Sequence, residues 1–284
     1  MAAMTLITSP SNPRIKQIRA LSRRKEREAT GLCVAEGIFH VREALSAGDV
    51  AYLIYAPDML ISPYGRELVT TAESLGLPIY AVSAGVMDAI ASKENPQGLL
   101  AVVRSRSLQL ADLSPTTHPW LTAVVAPQDP GNVGAILRTI DAVGASGLLL
   151  LDGGVDPYHP AAVRASMGTI FRLPVVRAPF SAISSWATSG GYQIYGTSAH
   201  GRTDYRAVDA YTLPLILLMG SEREGLSDVQ ASVCADLLRL PMHGRAGSLN
   251  LAVATGVFLY AIHDSLAGQG LLLPPSGIHD DTLA

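Results

Sequence analysis

The chain has 284 residues, of which 48% are hydrophobic and 16% are charged, and its formal net charge is −3. This length and composition indicate a globular protein of one large or two medium domains and exclude a disordered chain. No apolar run approaches the roughly 18 to 20 residues that span a bilayer. Because the N-terminal residues also lack a secretory apolar core, we expect a cytoplasmic protein.

The two cysteines and seven histidines do not indicate a metal centre. Cys33 and Cys234 lie far apart and outside any CxxC spacing, which argues against a zinc site and against a disulfide framework. The histidines are scattered, without the i, i+4 pairing that is typical of a helical metal site. We therefore predict two buried thiols and no bound metal.

Residues 1–28 differ in charge from the rest of the chain. They hold seven basic side chains against Glu26 and Glu28, so this segment carries +5 and the remainder carries −8. Such asymmetry predicts a basic arm directed at the phosphates of a nucleic acid. A solvated basic helix is the alternative, since a charged run is by itself a weak signal. The candidate phosphate contacts are Arg14, Lys16, Arg23, Arg24 and Lys25.

Residues 29–104 alternate helical and strand patterns. Helices are predicted at 37–45, 67–75 and 85–91, and strands at 50–56, 77–82 and 99–104. This alternation predicts a small α/β domain whose sheet is covered by helices on both faces. The periodicity then ends, and the Ser-, Thr- and Pro-rich segment 105–119 is typical of a linker between domains.

A second α/β domain is predicted from residue 120 onward. Strands are predicted at 121–126, 148–152, 175–177, 192–197, 213–219 and from 238, and helices at 132–143, 160–168, 182–189 and 248–266. The strand at 213–219 is the most apolar and should lie in the centre of a parallel sheet. The helix at 248–266 is the longest, with an apolar face predicted to consist of Leu249, Ala252, Val253, Val257 and Tyr260. The tail 268–284 is rich in Pro and Gly and should be frayed.

Polar residues follow three of these strands. After the first, a turn leads into a helix with Asn132 as its candidate N-cap, and Arg138 projects away from the apolar face of that helix. LILLMGSEREGL places Glu222 in a turn after the second strand. LRLPMHGRAGSLNL places Ser248 and Asn250 after the third. Polar turns beside the free N–H groups of a helix start make a site for a polar or anionic ligand.

Three segments, taken in order, resemble the three motifs of the SpoU (TrmH-type) family of RNA ribose 2′-O-methyltransferases, within the SPOUT superfamily. These segments are PGNVGAILRT, GSEREGLS, and LPM together with SLN. The opening SPSNPRIKQIRAL also resembles the start of this family, which favours the RNA-binding arm over the solvated helix. The resemblance implies an α/β fold in which residues 120–267 form a SPOUT-type parallel sheet with a trefoil knot. It implies that residues 29–104 form an RNA substrate-binding domain similar to ribosomal protein L30e.

The family's cofactor and site residues carry over onto matching positions. The resemblance implies S-adenosyl-L-methionine (AdoMet) as the cofactor and methyl transfer to a ribose 2′-hydroxyl of structured RNA, with rRNA favoured over tRNA. It places the cofactor at Thr197, Gly220, Leu240, Met242 and Leu249. It assigns the catalytic site to Asn132, Arg138, Glu222, Ser248 and Asn250. Gly247 departs from the family, which often has a larger, frequently acidic residue there.

Simpler explanations exist for several of these residues. Leu240 and Leu249 could be core residues, Glu222 a surface acid, and Ser248 a helix N-cap. For Arg138 the alternative is an ion pair with Asp141, three residues on in the same helix.

Two other function classes are weaker. A dinucleotide-binding oxidoreductase is disfavoured because Asp152-Gly153-Gly154 opens no GxGxxG motif and Asp156-Pro157 interrupts the chain where a phosphate-binding helix should begin. A non-catalytic RNA-binding relative of the same fold is disfavoured by the complete polar set, which binding alone would not require.

The resemblance also implies a homodimer in which each active site uses groups from its partner. The apolar faces of the helices at 132–143 and 248–266 would supply the contact. Arg138 is the residue on which catalysis is predicted to depend most. A guanidinium has a pKa above about 12. We therefore expect it to bind a substrate phosphate and stabilise the developing 2′-alkoxide as a cation, with the proton passing to water or a phosphate oxygen.

Overall fold

Two sheets organise residues 6–272, the part of the chain that the computed structural model describes. The strands of the smaller sheet are β1 Leu32–Glu36, β2 Val50–Tyr55, β3 Ile79–Ala81 and β4 Leu99–Arg104. Their order is β1-β4-β2-β3, with β4 antiparallel to both neighbours and β2 parallel to β3. The sequence patterns predicted β2, β3 and β4 but not β1.

Helices pack on this sheet, and their bounds are α1 Pro13–Ala20, α2 Arg24–Thr30, α3 Ile38–Ala47, α4 Pro63–Ser74 and α5 Ala84–Ile90. The segment predicted as a separate basic arm is therefore folded onto the domain as α1 and α2. Ile15, Ile18 and Leu21 are buried in one cluster with Ile54 and Val86. The charge count concealed this apolar face, because basic residues occupy the intervening helical positions.

The larger sheet is parallel throughout its described pairs. Its strands are β5 Trp120–Val125, β6 Gly147–Leu151, β7 Val175–Ala178, β8 Gln193–Thr197, β9 Thr203–Asp204, β10 Leu215–Met219 and β11 Asp236–Arg239. The order is β7-β6-β5-β10-β8-β11-β9, so the prediction that the most apolar strand lies at the centre is confirmed for β10. The trefoil knot stays a prediction.

Helices cover both faces of this sheet, and their bounds are α6 Pro130–Ala142, α7 Pro160–Ala165, α8 Phe180–Ser189, α9 Asp228–Ser232 and α10 Leu251–Gly268. α7 lies directly against α6, where a side chain at Gly134 would overlap the carbonyl oxygen of Ala162. Because glycine permits this close approach, the two helices are held together beside the first turn of α6. Part of the predicted frayed tail, residues 273–284, lies outside the described residues.

The two helices that carry the predicted catalytic residues begin at other positions than predicted. α6 begins at Pro130, and its N-cap is Asp129, whose Oδ1 accepts from Gly131 N at 2.7 Å, rather than Asn132. Proline is favoured in the first helical turn, which sets this earlier start. α10 begins at Leu251 rather than Ser248, because the side chain of Asn250 caps it.

The buried face of α10 differs from the apolar face that the sequence pattern indicated. Its buried residues are Leu251, Thr255, Phe258, Leu259, Ile262 and Leu266. Leu249, Val253 and Tyr260, which belong to the face indicated by the pattern, are 40%, 53% and 51% exposed. This helix is apolar on most sides. Its length and composition would allow it to cross a membrane, but the core helices of soluble proteins can have the same length and composition. Periodicity alone could therefore not identify the face that packs on the sheet.

The cysteines differ in their surroundings. Cys33 is fully buried in the apolar cluster shared by both domains, and burial raises the pKa of its thiol to about 12. Cys234 is only partly buried, and burial raises its pKa to about 11. Both thiols are free, and the prediction of full burial is confirmed for Cys33 alone.

A buried ion pair joins the two domains. Arg27 Nε lies 2.7 Å from Asp156 Oδ2, and the two side chains are only 4% and 7% exposed. Arg27 Nη1 also donates to the carbonyl oxygens of Leu21 and Ser22, at 2.8 and 2.9 Å. Asp156 Oδ1 accepts from Tyr158 N at 3.0 Å. Both charges are thus well hydrogen-bonded, which a buried pair requires.

Removing one partner of this pair should be more harmful than removing both charges. We expect Arg27→Ala to lower the free energy of unfolding by about 3–5 kcal/mol, because it leaves a buried carboxylate unpaired. The double variant Arg27→Met/Asp156→Asn, which keeps the acceptor for Tyr158, should be more stable than the single variant. Urea denaturation measures both. Arg42→Ala, which breaks the more exposed Arg42–Glu43 pair, is the control, and an equal loss there would contradict the expectation.

Candidate active site

A cavity of about 1000 Å³ lies at the carboxyl edge of the larger sheet. The loops that follow β5, β8, β10 and β11 enclose it, and ligands of parallel sheets bind at this edge. The predicted residues that line it are Asn132, Thr197, Gly220, Glu222, Leu240, Met242, Ser248, Leu249 and Asn250. Four stretches that are far apart in the sequence are therefore brought to one site, and of the predicted residues in this domain Arg138 alone is not in the lining.

Three of these side chains form a continuous chain of hydrogen bonds. Asn250 Nδ2 donates to Asn132 Oδ1 at 3.0 Å, and Asn132 Nδ2 donates to Glu222 Oε1 at 2.7 Å. A carboxylate only accepts, so it requires the NH₂ end of Asn132 to face Glu222. The oxygen of Asn132 must then face Asn250. The carboxylate of Glu222 thus sets the direction of the whole chain.

The chain ends on the first turn of α10. Asn250 Oδ1 accepts from Ala252 N at 2.9 Å and from Val253 N at 3.3 Å, and so satisfies two N–H groups at the helix start. Because its Nδ2 is directed to Asn132, its oxygen is free to act as this cap. Asn250 therefore fixes the position of α10 relative to α6.

Sequence reasoning missed Gln128, which holds the other end of the chain. Its backbone N–H donates to Glu222 Oε2 at 2.8 Å, and its Nε2 donates to Ala126 O at 2.7 Å. Ala126 has a φ of 41°, a left-handed conformation that is rare outside glycine. Gln128 thus stabilises a strained turn between β5 and α6. Gln128 directly precedes the motif Asp-Pro-Gly-Asn, and this position is the sequence feature that could have identified it as a site residue.

The Gly220 position requires glycine. A Cβ there would overlap the backbone of Gly225 and Leu226, because Ser221 and Gly225 close a tight turn through paired backbone hydrogen bonds of 3.0 Å. This turn presents Glu222 to the cavity. Thr197 Oγ1 donates to Leu218 O at 3.3 Å and is buried, so its side chain joins β8 to β10.

The loop before α10 is exposed and lacks regular structure. Met242 and Leu249 are 36% and 40% exposed there, so core packing does not explain Leu249. Leu240 is half-buried and packs against the apolar core. Ser248 is not the helix cap. Glu222 is a surface acid by exposure, but both of its carboxylate oxygens accept hydrogen bonds within the site.

Arg138 faces away from the cavity. It lies six residues after Asn132 in α6, which places it roughly 120° around the helix axis. Its side chain is exposed and has no hydrogen-bond or ion-pair partner among residues 6–272. The predicted alternative is wrong, because Asp141 pairs with Arg172 at 3.0 Å. The guanidinium is free to contact another molecule.

The predicted RNA contacts lie on two helices, and several of them have partners within the chain. The Arg14 guanidinium lies 3.8 Å from the centre of the Tyr80 ring. Arg23 contacts Glu26 at 3.5 Å, and Arg24 contacts Glu28 at 2.8 Å and donates to Gly154 O at 3.0 Å. Lys16 and Lys25 are exposed. These side chains are divided between α1 and α2, and acids already neutralise part of their charge.

Known proteins match both domains. The SpoU rRNA Methylase family matches residues 120–260, and the MRM3-like substrate binding domain matches residues 12–101. The 23S rRNA (uridine(2479)-2′-O)-methyltransferase of Streptomyces viridochromogenes is 32% identical, with coverage of 93% of this chain and 94% of that relative. The 23S rRNA (guanosine(2553)-2′-O)-methyltransferase of Bacillus subtilis is 30% identical, with coverage of 90% and 98%.

A solved structure agrees with these relatives. The AdoMet-bound rRNA methyltransferase from Sinorhizobium meliloti superposes with a TM-score of 0.84 at 36% identity, and the match covers 95% of this chain and 99% of that protein. The similarity therefore extends over both domains and includes the edge of the sheet where the cavity lies. The chain belongs to the SpoU rRNA methylase family.

Proposed function

We propose that this protein transfers a methyl group from AdoMet to the 2′-hydroxyl of a ribose in rRNA, and that it acts in the cytoplasm. The observation that carries the proposal is the directed chain from Glu222 through Asn132 to Asn250 at a cavity of ligand size. RNA binding alone would not require three separate loops to be fixed in this way. The names of the relatives, which are 23S rRNA 2′-O-methyltransferases, support the same reaction.

The cavity suits AdoMet. Its volume of about 1000 Å³ is sufficient for a ligand of this size, and it combines exposed apolar side chains with loop backbone that is not used in strands. Leu240, Met242 and Leu249 would provide apolar contact for the adenosine, and the main chain at Gly220 and near Thr197 would provide polar contacts. The closely packed turn at Gly220 holds this backbone in place.

The protein's task is to position the ribose and handle a proton. AdoMet supplies a methyl group that is already electrophilic, so no protein nucleophile is required. Glu222, Asn132 and Asn250 would hold the two loops and the start of α10 so that the 2′-hydroxyl lies in line with the methyl group. Ser248, exposed in the adjoining loop, would contact the ribose or its phosphate. The proton would leave to water or to a phosphate oxygen.

A methylation assay tests this function directly. Purified protein, radiolabelled AdoMet and in vitro transcribed 23S rRNA should give labelled RNA that resists alkaline hydrolysis at one position. The alternative is a non-catalytic RNA-binding relative. Titration calorimetry distinguishes the two, because that protein would bind the transcript but not AdoMet.

We further propose that the protein is a homodimer. The exposed side of α10 supports this, since Val253 and Tyr260, two turns apart on that helix, are large apolar side chains in contact with solvent in the single chain. Exposed large apolar side chains on one face of a helix are typical of a protein interface. Arg138 on the neighbouring α6 would then be carried towards a second copy of the chain.

A charge on this face should separate the protomers. We expect Val253→Glu to convert the dimer to a monomer, because it places a carboxylate where apolar side chains would meet. Multi-angle light scattering measures the mass. Val229→Glu is the control, since Val229 is a 68% exposed valine on α9, and its mass should be unchanged. Wild-type protein that is monomeric at micromolar concentration and fully active would contradict the dimer.

A further inference from the structure

A second cavity lies between the two domains. Its volume is about 340 Å³, and its walls come from α1, β1, α3, the end of α5 and α7. Its apolar lining includes Ile18, Val34, Ile90 and Val163. Three basic side chains, Arg19, Lys93 and Arg164, also line it, and they come from different elements of both domains. We call it the interdomain cleft.

These three cations have no acidic partner among the described residues. Arg19 and Lys93 make no side-chain hydrogen bond or ion pair there, and Arg164 donates to the neutral Ser92 Oγ at 3.4 Å. The contrast with the neighbouring helix is clear, because Arg23, Arg24 and Arg27 all pair with carboxylates. The cleft therefore carries three positive charges that form no ion pair with an acid of the described residues.

The one acid in the lining, Glu36, forms no ion pair with these cations, so three positive charges face a single negative one. The Glu36 carboxylate accepts from Ser92 N at 2.8 Å and from Lys93 N at 3.2 Å, so it is used to hold the loop after α5. His40 is buried beneath the cations, with Nε2 3.3 Å from Arg164 O. Burial first, and then the charges of Lys93 and Arg164, lower its pKa. The lowering by these two charges shows that His40 experiences a positive potential from the cleft.

The cleft is close to the active site. One side of α7 lines it through Val163 and Arg164, and α7 also packs on α6 at Gly134, two residues after Asn132. Packed helices are about 8–10 Å apart, so only one helix layer separates the cleft from the first turn of α6. An RNA strand held in the cleft would thus lie against α7, the helix that packs on the first turn of α6.

We propose that the interdomain cleft binds the sugar–phosphate backbone of the substrate RNA next to the ribose that is methylated. Arg19, Lys93 and Arg164 would contact phosphates, and the apolar lining would contact a sugar or a base. Cations without acidic partners, placed beside apolar side chains, fit a nucleotide strand better than an acidic peptide, which would bring no flat apolar group. This inference rests on the proposed function, which supplies the RNA.

The test compares two variants of equal charge. Arg19→Ala/Lys93→Ala removes two cleft cations, and Arg66→Ala/Arg104→Ala removes two exposed cations elsewhere in the same domain. With in vitro transcribed 23S rRNA in filter binding, we expect the cleft variant to bind about tenfold more weakly and its log–log salt slope to fall by about 1.4 to 1.8. The control should change neither. AdoMet affinity and melting temperature should match wild type in both.

Other results would refute the proposal. A cleft variant with the affinity and salt slope of the control would exclude phosphate contacts in the cleft. If its melting temperature fell, Arg19→Gln/Lys93→Gln, which keeps the side-chain stems, would replace it and must show the same loss of slope. A wild-type protein that binds the transcript through the cleft without methylating it would refute the proposed function alone. Normal methylation with unchanged RNA binding in the cleft variant would refute the cleft alone.

Discussion

Arg138→Ala is expected to reduce methyl transfer by about a thousandfold or more, because it removes a fixed cation from the developing 2′-alkoxide and the substrate phosphate. Arg138→Lys should retain measurable turnover, since a point charge replaces part of the guanidinium's effect. Single-turnover methylation of the 23S rRNA transcript measures both. AdoMet affinity should be unchanged, because the predicted contacts of Arg138 are with the RNA and not with the cofactor.

The position of Arg138 indicates how it would act. Within one chain its side chain is exposed and points away from Asn132, so it does not reach that chain's own cavity in this conformation. We therefore expect it to act on the site of the second protomer. Mixing Arg138→Ala with Asn250→Ala should then restore activity to about a quarter of wild type, because half of the randomly formed dimers contain one complete site. Mixtures as inactive as their components would show that Arg138 acts within its own chain.

The pH profile separates a cation from a base. The lysine introduced in Arg138→Lys is positively charged below its ordinary pKa of about 10.4. If it acts as a cation, turnover should not rise with pH as the amine loses its proton. If turnover instead increases with pH along the ionisation of the introduced amine, the residue accepts the ribose proton and the cation role is wrong. Thermal melting of both variants controls for folding.

The sequence was sufficient to locate the cavity because its residues are concentrated in short loops. Asn132 and Glu222 each follow a strongly apolar strand, which can be identified from its composition and length, and Asn250 follows the short strand β11. Parallel strands then place their carboxyl ends at one edge, so the loops must converge. The family resemblance supplied the roles, which no spacing could have shown.

Other features could not be predicted because they depend on packing. α10 is apolar on most sides, and only its contact with α6 and the sheet determines that Phe258 is buried while Val253 is exposed. The basic N-terminal segment was interpreted from its charge, whereas Arg27 pairs with Asp156 from the other domain, 129 positions away in the chain. The group of cations in the cleft also depends on contacts between the two domains. Arg19, Lys93 and Arg164 come together only when the two domains are assembled.

The direction of the hydrogen-bond chain also could not be predicted from the sequence. The role of Glu222 in setting this direction can be tested with Glu222→Gln, which replaces one carboxylate oxygen with an NH₂ group. In wild type both carboxylate oxygens accept, one from Gln128 N and one from Asn132 Nδ2. Glu222→Gln replaces one acceptor with a donor, which must then face another donor. Either the hydrogen bond to Gln128 is lost, or the amide of Asn132 turns over and presents its NH₂ group to Asn250 Nδ2.

We therefore expect Glu222→Gln to lower the rate of methyl transfer by roughly a hundredfold, since displacement of reacting groups by about an ångström has an effect of this size. Glu224→Gln is the matched control, because it makes the same chemical change two residues away, where the carboxylate accepts no hydrogen bond from the described residues. The position of the lost bond can be read separately by hydrogen exchange. If Asn250 loses its orientation, the amides of Ala252 and Val253 should exchange faster in Glu222→Gln, because its side-chain oxygen caps both. A normal rate together with normal protection at these two amides would show that the carboxylate does not direct the chain.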